Sequence, residues 1–241
     1  IIGDEWSLGI LIQELATLYA AYSAGEPSPL PELPVHYVDF AHWQREWLQG
    51  EVLAAQLAYW RQHIGASVPQ LNLPYDFPLP SERNFAGALH SVTLADEVAS
   101  GISGLSKAEG VTGFMFMLAA LQIVLHRYAE GDDVIIGTDI ANRNRLETES
   151  LIGFFVNHLV LRGNLSGSPT FREFLAQARE QTLGAYAHQD LPYDQLVAAL
   201  QPERKHSHAP LFQVLFVYGN PSMPTLEAVS YTHLRAHETS N

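Results

Sequence analysis

Cysteine is absent from all 241 residues, which excludes disulfides, thiolate nucleophiles and cysteine-ligated metal together. The absence fits a reducing compartment, and a cytoplasmic location is the expectation. Positive charge is scarce as well. Thirteen lysines and arginines stand against 26 acidic residues, a formal charge of −13, and such a balance opposes attraction to nucleic acid or anionic lipid. Neither nucleic acid nor a membrane is therefore expected as a partner. Long apolar runs are missing too: the longest, Val111 to Leu125, is about 15 residues and contains Gln122, whereas a bilayer span needs roughly 20. It is expected to be a buried helix. No methionine stands at position 1, and Ile1 is expected to be a cut, so the want of a charged-then-apolar leader carries no information about secretion.

What is present is globular in composition. Hydrophobic residues make up 47% and charged residues 16% of the chain, enough for one sizeable core or two small ones. Leu8, Leu11, Ile12, Leu15, Leu18, Tyr19 and Tyr22 follow the three-then-four spacing of one helical face, with Ser7 as the expected N-cap and Gly25 as the stop. Prolines 27, 29, 31 and 34 then break regular structure. Helices are expected over 37–48 and 51–63, the first carrying Tyr37, Phe40 and Trp43. A proline-rich stretch, 68–80, marks a boundary between lobes. Beyond it come a weakly alternating strand at 89–94, a helix over 96–108 and a Thr112-capped helix to Tyr128. A β-branched strand at Val134–Ile136, a strand at 157–162, a helix opened by the capping box Thr170-x-x-Glu173 and a strand at 211–217 complete the series. This order predicts a mixed α/β layer.

Four motifs give the chain a family resemblance. Asp4 and Ser7 in Ile1-Ile2-Gly3-Asp4-Glu5-Trp6-Ser7 match the end of the His-His-x-x-x-Asp-Gly-x-Ser signature of nonribosomal peptide synthetase condensation domains, the second His of the signature falling one residue before Ile1. Tyr37 to Trp43 resembles the family's Tyr-x-Asp-Phe/Tyr-Ala-x-Trp, with Asp39 at the Asp. Ile152-Gly153-Phe154-Phe155-Val156-Asn157 resembles Ile/Val-Gly-x-Phe-Val-Asn, and His188-Gln189-Asp190-Leu191-Pro192-Tyr193-Asp194 resembles His-Gln-Asp-x-Pro-Phe-Glu. The order and spacing are the family's. Departures are Glu5 for the usual Gly, His158 for Thr and Ala209 for Asn.

The resemblance implies an α/β chloramphenicol-acetyltransferase-like two-lobe fold, truncated: the end of the first lobe over 1–68, a linker over 69–86 and most of the second lobe over 87–228. It implies an acyltransferase joining two carrier-protein-tethered thioesters into an amide, with a donor and an acceptor peptidyl carrier protein and an adjacent adenylation domain as partners. No cofactor is expected on this chain; the phosphopantetheine belongs to the carriers and should arrive near Asp4 and Asn157. Holding two tethered reactants in line is worth roughly 7–11 kcal/mol in favourable cases. With the motif histidines before Ile1, the fragment is expected to be inactive alone. Asp4 and Arg143 are the supporting pair: the family's motif Asp binds an Arg from the second lobe and fixes the loop that presents the His. Two parallel hydrogen bonds are expected between them, with Arg145 the alternative partner. Trp6, Ser7, Gly153, Asn157 and His188 are expected along the substrate channel, and Tyr37, Asp39, Trp43, Asp190 and Pro192 as structural motif residues. An epimerisation domain or another acyltransferase of the superfamily would share these motifs, and a non-catalytic carrier-docking module is the rival from a different class.

Without the resemblance the same residues have plainer readings. Asp4 at a helix start suits a cap, Asn157 and Phe154–Phe155 suit a strand entry and core filling, and His188 beside Asp190 suits a structural helix end. His126, His158, His188, His206 and His208 show no spacing of metal ligands, and no metal is expected. His233 and His237 stand four apart, but the metalloprotease pattern needs Glu after the first His and here Glu238 follows the second. Residues 229–241 resemble one reading frame of a sequencing adapter, and are expected to pack loosely and add nothing to stability.

Overall fold

The computed structural model describes residues 2–65, 68–77, 87–200 and 210–219. The expectations for 229–241, for His206 and His208 and for residues 78–86 of the 69–86 linker lie outside the described residues. Contacts group the chain into two units, one drawn from 1–45, 143–155 and 219–241 and the other from 46–142 and 156–218.

In the first unit Asp4, not Ser7, caps the leading helix. Its backbone is extended (φ −111°, ψ −178°), its side chain accepts from the Ser7 amide, and α1 runs Glu5–Ser23. Ser7 cannot be the cap because it already lies in the first turn, where its own amide is the donor that needs satisfying. The helix stops where Gly25 turns left-handed at φ 74°, a conformation that costs glycine little. The apolar face expected of α1 is formed but stands open: Leu15 is 60% and Tyr22 61% exposed. Next comes α2, Tyr37–Trp47, most of it in this unit. Asp39 Oδ2 accepts from the His36 amide at 2.8 Å, holding its first turn.

The second unit holds the core. Its helices are α3 (Gly50–Ile64), α4 (Asp96–Ala108) and α5 (Gly113–Tyr128), which Thr112 caps as expected. Strand β1 (Asp133–Ile140) follows; α6 (Leu146–Glu149), a single turn, belongs to the first unit. Strand β2 (Asn157–Asn164), α7 (Phe171–Ala187) and α8 (Tyr193–Leu200) complete the second. The two strands pair antiparallel from Asp133↔Asn164 to Ile140↔Asn157. Trp60, Leu118, Ile136, Leu161, Phe174 and Leu196 are among the fully buried side chains, each contributing about 1.5–3 kcal/mol on burial. Gln122 of α5 is also fully buried, under the sheet. A Cβ on Gly163 would stand 2.8 Å from its amide carbon, so glycine there makes room for a polar side chain within the core. The Thr170–Glu173 capping box is present in full.

Two expected strands do not form as such. Residues 87–95 have no regular structure, and Leu89 is 94% exposed; a lone extended segment has no ladder partner to satisfy its backbone. The 211–217 strand is reduced to one parallel bridge, Gly137↔Leu215, with Gly137 N donating to Val214 O and Phe216 N to Gly137 O. Phe212 lies over Gly137, where a Cβ would come within 2.5 Å of its ring. Helix α8 was not anticipated, although Leu196, Val197 and Leu200 carry a helical spacing.

Candidate functional site

In the first unit the residues of the opening motif converge with the 143–155 segment. The Asp4 side chain is 1% exposed. Its Oδ1 accepts from Ser7 N at 2.9 Å, Ser7 Oγ at 2.7 Å and Arg143 Nη2 at 3.1 Å, while Oδ2 accepts from Phe155 N at 3.0 Å. Burial pushes this carboxyl up, but the bonds from Ser7 and Phe155, with the Arg143 charge, outweigh it and hold it below the ordinary range. Asp4 is an anchor. Both its oxygens are engaged, and a carboxylate held ionised in this way is a poor proton acceptor.

Arg143 departs from the expected two-point clasp. Only Nη2 reaches Asp4, and it also reaches Ser7 Oγ at 2.8 Å, while Nη1 donates to the carbonyls of Thr148 and Leu151. The guanidinium lies 4.1 Å from the Phe155 ring centre and 5.6 Å from that of Trp6. A side-by-side clasp would point both nitrogens at the carboxylate; here α6 and the turn after it present two carbonyls that compete for one of them. Arg145 is placed elsewhere, 4.2 Å from the Trp43 ring centre.

Ser7 is the centre of this web and is 2% exposed. Its Oγ lies 2.7 Å from Gly153 O and 3.0 Å from Gly153 N, besides its contacts with Asp4 and Arg143. One hydroxyl proton serves one acceptor at a time, whereas the oxygen can accept from both Gly153 N and Arg143. Around the web, Trp6 Nε1 donates to Glu149 O and Tyr37 Oη to Phe154 O, both at 2.8 Å. Tyr37 and Phe40 close on Phe155 at 5.0 and 4.7 Å between ring centres, and Trp43 lies 5.9 Å from Phe40. A Cβ on Gly153 would overlap the Tyr37 ring.

The remaining motif residues lie in the second unit. Asn157 donates to Gln189 O and Leu191 O and accepts from Tyr193 N, all within 2.9 Å, so its amide ties the start of β2 to the turn that contains Asp190. Pro192 O accepts from Leu196 N and opens α8. His188 stacks flat on Tyr59 at 3.8 Å, donates from Nδ1 to Gly184 O, and its carbonyl accepts from Trp60 Nε1 at 2.9 Å. One pair escaped the sequence reading: His158 Nδ1 meets Asp139 Oδ1. They are 19 positions apart, and only the ladder register, which sets Asp139 opposite His158, could have joined them. Among the described residues no group of three His, Cys, Asp or Glu is placed to hold a metal ion, and no single helix is long and apolar enough to cross a membrane.

The family model of the condensation domain matches residues 1–240, and the chain belongs to the condensation-domain family of nonribosomal peptide synthetases. Its fold is accordingly the chloramphenicol-acetyltransferase-like one. A linear gramicidin synthase from Brevibacillus parabrevis is 50% identical over 235 residues, which is 98% of this chain and 3% of that protein. Among solved structures, the X-domain from teicoplanin biosynthesis is 27% identical with a TM-score of 0.82, over 89% of this chain and 49% of that one. The complex of that X-domain with OxyB gives 0.83 at 27% identity, over 89% and 48%. The chain thus spans about half the length of these solved relatives and a small part of the synthetase.

Proposed function

We propose that this chain is part of a condensation domain that forms an amide between two carrier-tethered thioesters, the acceptor amine attacking the donor carbonyl. The observation that carries the reading is the Asp4–Ser7–Arg143 web. Four donors on one buried carboxylate fix the loop that, by resemblance, presents the motif histidine, and orientation is where such a reaction gains most. Trp6 and Gly153 belong to the same web, and Asn157 and His188 are assigned to the substrate channel by resemblance alone. The phosphopantetheine arms come with the donor and acceptor carriers, an adenylation domain stands in the same synthetase, and the setting is cytoplasmic. Supplying the protein that carries this chain with two loaded carriers should yield the amide, and mass spectrometry would detect it.

A second reading has one observation in its favour: a related domain, the teicoplanin X-domain, has been solved in complex with another protein, OxyB. On that reading the chain docks a partner and makes no bond. Carrier binding without amide would select it.

A further inference from the structure

The chain after α3 reads as a linker in the sequence, yet its first part is held. Residues 68–73 have no regular secondary structure and lie in the second unit. Leu71 is 5% exposed and belongs to the core, and Val68 and Leu73 pack partly buried against it. Burying Leu71 takes its backbone N–H and C=O out of water, and both must then find partners. One side chain supplies the two. Leu71 N donates to Gln213 Oε1 at 2.7 Å, and Gln213 Nε2 donates to Leu71 O at 3.1 Å, across 142 positions. Only Asn and Gln carry an acceptor and a donor side by side in the manner of a peptide unit, so Gln213 stands in for a strand that pairs with Leu71 at one point. The residues around Gln213 are themselves tied to β1. Gly137 N donates to Val214 O at 2.9 Å, Phe216 N donates to Gly137 O at 2.8 Å, and the Phe212 ring lies over Gly137.

We propose that residues 68–73 form a strap, shut by the Gln213 amide, that opens as one piece while the β1–β2 ladder stays paired. The strap is held by Val68, Leu71 and Leu73 and by one two-point fastening. The ladder, by contrast, is paired without a break from Asp133↔Asn164 to Ile140↔Asn157. Segments with few buried contacts and few hydrogen bonds are the ones that open locally, at less cost than global unfolding. Opening withdraws Leu71 from the core and releases the path that the chain takes after α3. Gln213 is therefore a positioning residue for that connector. Methionine at 213 would keep the length of the side chain and lose both bonds, whereas glutamate would keep the acceptor and, when ionised, turn the donor into a second acceptor facing the Leu71 carbonyl.

Amide hydrogen exchange in the protein that carries this chain tests the strap. In Gln213→Met the Leu71 amide should exchange about 30-fold faster than in wild type, which is what two ordinary hydrogen bonds contribute together, while the β1–β2 amides keep their protection. Gln213→Glu supplies a chemical check, because a neutral carboxyl has both an acceptor and a donor and can fasten Leu71 as the amide does. After correction for intrinsic exchange rates, Leu71 protection in Gln213→Glu should approach wild type near pH 5 and fall away by pH 8, with wild type unchanged between them. Leu71 exchange that is the same in Gln213→Met as in wild type, or protection in Gln213→Glu that ignores pH, would show that apolar contacts alone hold the segment. An equal loss of protection at Leu71 and throughout the ladder would show that there is no strap, since the segment would then open only with the whole second unit.

Discussion

Arg143 holds Asp4 with one nitrogen and the chain after it with the other: Nη2 lies 3.1 Å from Asp4 Oδ1, and Nη1 donates to Thr148 and Leu151 carbonyls. Both side chains are 1% exposed, so removing either leaves an uncompensated buried charge, which costs about 3–5 kcal/mol. Asp4→Ala and Arg143→Ala should each approach that loss in urea unfolding. The double variant should lose clearly less than their sum, because the second deletion removes a charge already stranded. Arg143→Lys should recover little, since an ammonium cannot reach two carbonyls, a carboxylate and a hydroxyl from one plane. Strictly additive losses would end this account.

Three of the described groups contribute to the pH dependence of stability. Asp4 and Asp133 are held low in the folded chain, Asp4 by the bonds of its web against the upward push of burial, Asp133 chiefly by Arg162. Their contribution is complete above the unfolded carboxylate pKa, about 3.9, and is lost as pH falls through the folded values. His63 is also held low, by burial first and the Arg162 charge second, against its bond to Val160 O. Here the unfolded chain takes up the proton first, so stability begins to decline as pH falls below about 6.5. Thermal melts should therefore show a gentle loss from pH 6.5 to 5 that His63→Gln flattens, and a steeper one below pH 4 that Asp4→Asn reduces. A His63→Gln profile that parallels wild type would refute the first half.

The Thr170 cap makes a local prediction. Its Oγ1 accepts from Glu173 N at 3.4 Å, while Glu173 Oε2 accepts from Thr170 N at 2.8 Å, so two free amides of α7's start are satisfied reciprocally. Thr170→Ala should cost about 1 kcal/mol, and Thr170→Ser should restore most of it. Equal losses in both would show that the methyl group, not the hydroxyl, matters here.

What could be read before the structure divides along physical lines. Helices α3, α4, α5 and α7 were legible because apolar spacing, capping residues and glycine stops are local, and Thr112 and Thr170 stand where such rules put them. The Asp4–Arg143 pairing came from the family resemblance, since no local rule joins residues 139 apart. Its geometry was not legible: that α6 and the turn after it would supply two carbonyls to Nη1, or that Ser7 would leave the cap to Asp4, depends on where the chain returns. Residues 89–94 failed for a related reason, because alternation marks what a strand could bury and cannot supply the neighbour it needs. The Asp139–His158 pair was hidden likewise, as the ladder register alone brings it together.

Gly153 offers the sharpest steric test. Its N and O both bond Ser7 Oγ, at 3.0 and 2.7 Å, and a Cβ there would overlap the Tyr37 ring. Tyr37 has little room to yield, because it meets Phe155 edge-on at 5.0 Å and its hydroxyl donates to Phe154 O at 2.8 Å. Gly153→Ala must therefore either push the ring away or shift the backbone that Ser7 holds, and overpacking of this kind costs about 1–3 kcal/mol. Shortening the ring's side chain should remove the conflict, so Gly153→Ala should cost much less in a Tyr37→Ala background than in wild type. Urea unfolding of the four proteins measures the coupling. An equal cost in both backgrounds would mean that the Gly153 backbone, rather than the space beneath Tyr37, is what admits only glycine.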